Sequence, residues 1–149
     1  MLKGLDPRLG AEVLAALRAM GHGDQIVLAD ANFPADSVAR RTVLGRLLRM
    51  DNLTTPDALQ AILSVLPLDT FVPDFAMRML VVGDPGAIPE VMREAQVEID
   101  QAEGMERPMM GLERFDFYKR AESAFAVIQT GERRFYGNVI LRKGVIAPV

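Results

Sequence analysis

The sequence predicts an α/β sandwich, one domain over residues 1–149 with a central sheet covered by helices, and three observations carry that expectation. Segments with apolar residues at three- and four-residue spacing alternate with short, nearly continuous apolar runs. Gly, Pro, Asn and Asp punctuate the junctions between them. The length of 149 residues, 50% of them hydrophobic and 25% charged, suits a single buried core without repeats or linkers.

In chain order, the spacing of Leu9, Val13, Leu14, Leu17 and Met20 predicts a helix over 7–20, which Gly21 and Gly23 end. Residues 25–30 form an apolar run typical of a strand buried on both faces, closed by Asp30. Residues 32–37 read as a loop from their Asn, Pro, Asp and Ser. A strand is expected at 46–50. Thr55 then serves as a cap, with Pro56 at the first helical position and Asp57 at the positive helix end, for a helix to about residue 66. A strand over 75–82, a turn at 83–86 and a charged helix over 89–103 stopped by Gly104 follow. The remainder reads as a strand at 109–113, a helix at 115–122, a strand at 124–129, a turn at 130–133 and a strand at 139–141. A hairpin pairing of the last two strands is the local expectation.

Composition excludes several classes of function. A net charge of −3 gives no electrostatic footprint for nucleic acid, and Arg40-Arg41, Arg133-Arg134 and Arg142-Lys143 are short enough to be solvated faces. Cysteine is absent, which removes disulfides, thiol catalysis and thiolate metal sites and suits a reducing compartment. Lys3, Asp6, Arg8 and Glu12 interrupt the apolar residues of the first segment, so it lacks the apolar run of a signal peptide. No apolar stretch reaches the about 18 residues of a membrane span. A cytoplasmic protein with no membrane partner is expected. Nine Met in a short apolar chain point to self-association.

The single histidine lies in Gly21-His22-Gly23-Asp24. Two readings stand: a residue filling a glycine turn, or an imidazole left accessible by its glycine neighbours for proton transfer near neutral pH. The glycines do not form a dinucleotide fingerprint, because they follow a helix and precede a strand. One His without Cys leaves too few ligands for a typical zinc site, although carboxylates keep a Mg²⁺ alternative open. No P-loop or serine-nucleophile setting occurs. Asp30, at a strand's carboxyl end, is either a turn cap or a ligand contact. Arg114 with Phe115, Phe117 and Tyr118, and Tyr136-Gly137-Asn138 after a turn, combine a guanidinium fork, flat aromatics and an amide. Polyhydroxylated ligands require such groups, although aromatics at this spacing equally serve a core.

Taken together, Met20-Gly21-His22-Gly23-Asp24, Asp30 with Asn32-Phe33-Pro34, Glu113-Arg114-Phe115 with Phe117-Tyr118, Thr130-Gly131-Glu132, Tyr136-Gly137-Asn138 and Lys143-Gly144-Val145 resemble the L-fucose mutarotase family, related to D-ribose pyranase. The match runs in order over nearly the whole chain. The resemblance implies the fold of that family and cofactor-independent, metal-free interconversion of the ring forms of a free monosaccharide, L-fucose foremost. It also implies assembly into a ring of ten subunits. His22 is then the proton donor, and Asp30, Arg114, Tyr136, Gly137 and Asn138 bind the sugar, with Tyr118 a further contact or a packing residue. Asn32 stands where some relatives have His, and the 38–48 stretch differs from the family's connection. D-ribose pyranase activity and a non-catalytic monosaccharide-binding module are the alternatives.

Overall fold

A computed structural model describes residues 1–149. Its elements alternate as α1 (Ala11–Ala19), β1 (Gln25–Ala29), α2 (Ala35–Ala39), β2 (Leu48–Met50), α3 (Thr55–Leu63), β3 (Ala76–Met79), α4 (Glu90–Glu103), β4 (Met110–Leu112), α5 (Arg114–Glu122), β5 (Ala126–Thr130) and β6 (Val139–Arg142). The six strands form one sheet in the order β2-β5-β1-β6-β3-β4. Side chains of successive strand residues point to opposite faces, so β1 divides its apolar run between two layers. Ile26 and Leu28 join the core under α1, α3 and α4, whereas Val27 and Ala29 join the one under α2 and α5. The sheet is therefore covered on both faces, as the alternation of elements predicts. Each fully buried Ile, Leu or Val here contributes about 1.5–3 kcal/mol. Leu28→Ala in the larger layer would cost about 2–5 kcal/mol through the cavity it leaves.

Three expectations are corrected. The hairpin does not exist: β1 lies between β5, its parallel partner, and β6, its antiparallel partner. Residues 131–138 instead cross the end of β1, where Ala31 N–H donates to the Glu132 carbonyl and the Thr130 hydroxyl to the Ala29 carbonyl. Gly131 starts this crossing because a Cβ there would run into the Asp51 carbonyl. Residues 35–39 are helical rather than loop. The Pro34-Ala35-Asp36-Ser37 composition reads as a turn, but Ala35, Val38 and Ala39 bury one face against the second core, and that burial outweighs local turn preference. Finally, Thr54 is the cap of α3, accepting from Asp57 N–H, with Pro56 in the first turn. Thr55 is buried and serves the site described below.

No helix is long and apolar enough to cross a membrane.

Candidate active site

The carboxyl end of β1 meets the start of β6, and Asp30 and Asn138 tie the two together. Asp30 N–H donates to Asn138 Oδ1 at 2.8 Å, and Asn138 Nδ2 donates back to Asp30 Oδ2 at 3.0 Å. Oδ2 also accepts from Gly137 N–H, while Oδ1 accepts from Asn32 N–H at 3.0 Å and Phe33 N–H at 2.9 Å. Burial pushes the Asp30 carboxyl above its ordinary range, against the backbone and side-chain donors that favour its charged form. Four donors already occupy the two oxygens. The carboxylate thus fixes the geometry of two loops, and a further hydroxyl can only share it.

Gly137 cannot carry a side chain. A Cβ there would lie 2.6 Å from Glu132 Cγ and 3.3 Å from Asp30 Cβ. Its carbonyl accepts from the buried Thr55 hydroxyl at 2.8 Å, which anchors the segment to the head of α3. Next to it, Tyr136 has φ of 63°, a left-handed conformation that costs a non-glycine residue about 1–2 kcal/mol. Strain of this kind persists where surrounding contacts over-determine it. The Tyr136 hydroxyl accepts from Val82 N–H at 3.1 Å, holding the ring over the cavity.

Beneath this segment lies a buried brace. Glu132 accepts from Arg134 through N–H, Nε and Nη2 and from Thr55 N–H, and Arg134 also forks onto both oxygens of Glu94 in α4. Burial alone would raise the Glu132 carboxyl, but the Arg134 and Thr55 hydrogen bonds outweigh it and hold it below the ordinary value.

Arg114 opens α5, whose positive end is capped by Glu113 accepting from Phe115 and Asp116 N–H. Its Nε donates to the Tyr118 hydroxyl at 3.1 Å, and its guanidinium lies 5.4 Å from the Tyr118 ring centre and 5.6 Å from that of Phe115. Tyr118 packs edge-on to Phe33, so it is both a packing residue and a wall of the cavity. That cavity, about 260 Å³, is lined by Asp30, Asn138, Arg114, Tyr118 and Tyr136 among others. It lies at the small end of ligand sites. Gly137 forms its backing rather than its lining. Sequence reading missed Met79 and Phe135 in the walls: Met79 is an ordinary core residue by pattern, and Phe135 follows a charged turn.

His22 is elsewhere. It precedes β1, in a turn where Gly23 takes φ of 86° and donates to the Lys143 carbonyl, beyond the far end of β6. The strand between Gln25 and Asp30 spans about 16 Å, so within one subunit Asp30 neither orients nor biases His22. Its partner is Asp69: Nε2 lies 3.1 Å from Oδ2, and Oδ1 of the same buried carboxylate accepts from Phe71 N–H. A carboxylate only accepts, so Nε2 carries the proton in this pair and Nδ1 remains the basic nitrogen. The Phe71 ring stands edge-on to the imidazole at 6.0 Å. No sequence signal linked residues 47 positions apart.

Fold and cavity together define an α/β protein with a small polar cavity at the carboxyl end of its central strand, walled by aromatic and hydrogen-bonding side chains. The chain belongs to the RbsD / FucU transport protein family, whose model matches residues 3–146. It is 48% identical to the fucose mutarotases of Bos taurus and Homo sapiens, over 99% and 98% of this chain and 96% and 95% of theirs. The crystal structure of the fucose mutarotase from Streptococcus pneumoniae in complex with L-fucose superposes with a TM-score of 0.87 at 37% identity, covering 98% of this chain and 100% of that one.

Proposed function

We propose that this protein is a cofactor-independent mutarotase that interconverts the anomers of free L-fucose. The observation that carries the reading is the polar cavity of Asp30, Arg114, Tyr136 and Asn138 in a chain so similar to fucose mutarotases over its whole length. Anomer exchange needs little machinery. A proton leaves the anomeric hydroxyl, the bond from C1 to the ring oxygen breaks, and that oxygen takes up a proton to give the open aldehyde. Rotation about the C1–C2 bond and the reverse steps close the ring on the other face. One acid–base side chain, a relaying water and a polar cradle for the open chain suffice. His22 is the acid–base group in this reading, with Asp69 holding its tautomer. Arg114, Tyr136 and Asn138 hold the hydroxyls, and Asp30 and Gly137 set their positions.

Because His22 and the cavity occupy opposite ends of β1, the complete site in this reading joins the His22 end of one copy to the cavity of another. Exposed aromatics support it: Phe71 is 73% exposed beside His22, and Phe115 and Phe135 are exposed around the cavity. The proposed assembly is a homodecamer in the cytoplasm. Saturation-transfer NMR of anomeric protons across L-fucose, D-ribose and related free sugars tests the activity. Accelerated exchange with L-fucose foremost supports it, whereas binding without exchange replaces the enzyme by a sugar-binding module.

A further inference from the structure

A second cavity, about 540 Å³, opens on the other layer of the molecule between β3 and α4. Met77 and Met79 of β3 pack into the α2–α5 core, so Arg78, between them, points to the α4 side, opposite Val139 and Gly111 in the sheet register. An arginine in that position is costly, since burying a charge without a partner removes its hydration and returns nothing. Arg78 Nη1 is buried and has no hydrogen-bond partner. Burial lowers the affinity of its guanidinium for the proton, and no carboxylate opposes that effect.

The other polar groups of the cavity are already engaged, except Arg93 and Glu106. Asp100 accepts from Gln96 Nε2 and Arg107 N–H, and Gln96 Oε1 accepts from Met109 N–H. Arg107 pairs with Glu103 and lies over the Phe75 ring at 4.0 Å. Arg93, on the α4 wall, has no ion pair, and Glu106 lies at the rim. The unpaired guanidinium groups of Arg78 and Arg93 therefore line one space, with an apolar wall from Ile88, Met92 and Met109 and with the carboxylates of Asp100 and Glu106 also in its lining.

We propose that this cavity binds a small phosphorylated organic molecule, its phosphate held by Arg78 and Arg93 and its carbon skeleton lying against Met92 and Met109. Arginine forks match phosphate oxygens bidentately, and a bound dianion supplies the partner that Arg78 lacks. The cavity is far larger than inorganic phosphate requires and falls in the range of small-molecule sites. It lies across the sheet from the Asp30 cavity, so the two are separate sites.

The test is a thermal-shift and calorimetric titration of the intact protein with glycerol 3-phosphate, inorganic phosphate and succinate, each against sodium chloride at matched ionic strength. Glycerol 3-phosphate should raise the melting midpoint by roughly 5–10 °C at a hundredfold excess over its Kd. It should leave Arg78→Met unmoved and bind Arg93→Met about tenfold more weakly, since each charge-assisted contact is worth at least that ratio. Arg78→Met alone should melt above the unliganded wild type and exchange sugar anomers normally. No specific rise, or an equal rise in Arg78→Met, overturns the site. Inorganic phosphate binding as tightly as glycerol 3-phosphate, or succinate binding more tightly than both, overturns the ligand class. Disassembly of Arg78→Met would show that the guanidinium pairs across a subunit contact, which also overturns it. Melting and binding are read without sugar turnover, so this test is independent of the proposed activity.

Discussion

His22 Nε2 lies 3.1 Å from Oδ2 of Asp69, a contact that makes this ring nitrogen the donor and leaves the other without a partner in the pair. His22→Asn removes proton transfer while keeping a hydrogen-bonding group, and should slow anomer exchange by about 10²–10⁴. Asp69→Asn should also slow it, because an amide can donate to Nε2 and trap the other tautomer. Its signature is an altered pH profile with sugar affinity preserved. Near-normal exchange by His22→Asn with its assembly intact would reduce His22 to a turn residue.

A site divided between copies can be reconstructed from two inactive proteins. His22→Asn retains the cavity, and Arg114→Ala retains the imidazole. Dissociating and reassembling an equal mixture should return activity at about a quarter of the sites, the fraction that draws both intact halves. Light scattering on either variant should give the mass of many subunits. A mixture as inactive as its components would place both groups in one subunit's site and contradict the separation along β1.

Gly137 is held between Glu132 and Asp30, and its N–H supplies one of the four donors to the Asp30 carboxylate. Gly137→Ala should destabilise the fold by about 1–3 kcal/mol, as overpacking does, and should weaken sugar binding by moving Asn138. The check is the urea midpoint together with the Kd for L-fucose. Unchanged values of both would mean that the 131–138 crossing yields without cost.

Most of the fold was legible because its elements declare themselves locally: the stripe of α1, the apolar run of β1, and Gly104, which ends α4 at φ of 69°. The insertion of β1 between β5 and β6 was not, since strand order is decided by burial on both sheet faces and by contacts such as Ala31 to Glu132, far apart in sequence. The same limit applies to the site. Asp30, Arg114, Tyr136 and Asn138 line one cavity, but the placement of His22 with Asp69, away from them, depends on the length and direction of β1. Thr55 was legible only as a helix start, because its bond to Gly137 joins residues that no periodicity connects.

The brace under the cavity contributes stability that is lost in acid. Glu132 has a folded pKa below its ordinary 4.5, with burial opposed and exceeded by the Arg134 and Thr55 hydrogen bonds. Between the folded and unfolded values the unfolded chain binds more protons, so stability rises with pH there. The contribution is fully present above about 4.5 and is lost as pH falls through the folded value. Asp30 has the opposite sign. Its folded pKa is raised above 3.8, so it is less destabilising at low pH and its cost grows as pH rises through the raised value. Glu132→Gln keeps the shape but removes the charge, leaving Arg134 to Glu94 alone. With the Arg134 side chain 37% exposed, solvent screening discounts the loss to about 1–2 kcal/mol at pH 7. Urea midpoints at pH 7, 5 and 4 should show the gap between wild type and Glu132→Gln largest at pH 7 and narrowing below about 4.5. A gap that stays constant into acid would mean that Glu132 takes up its proton equally in the folded and unfolded chains, so that the charged pairing with Arg134 does not hold its carboxyl below the ordinary value.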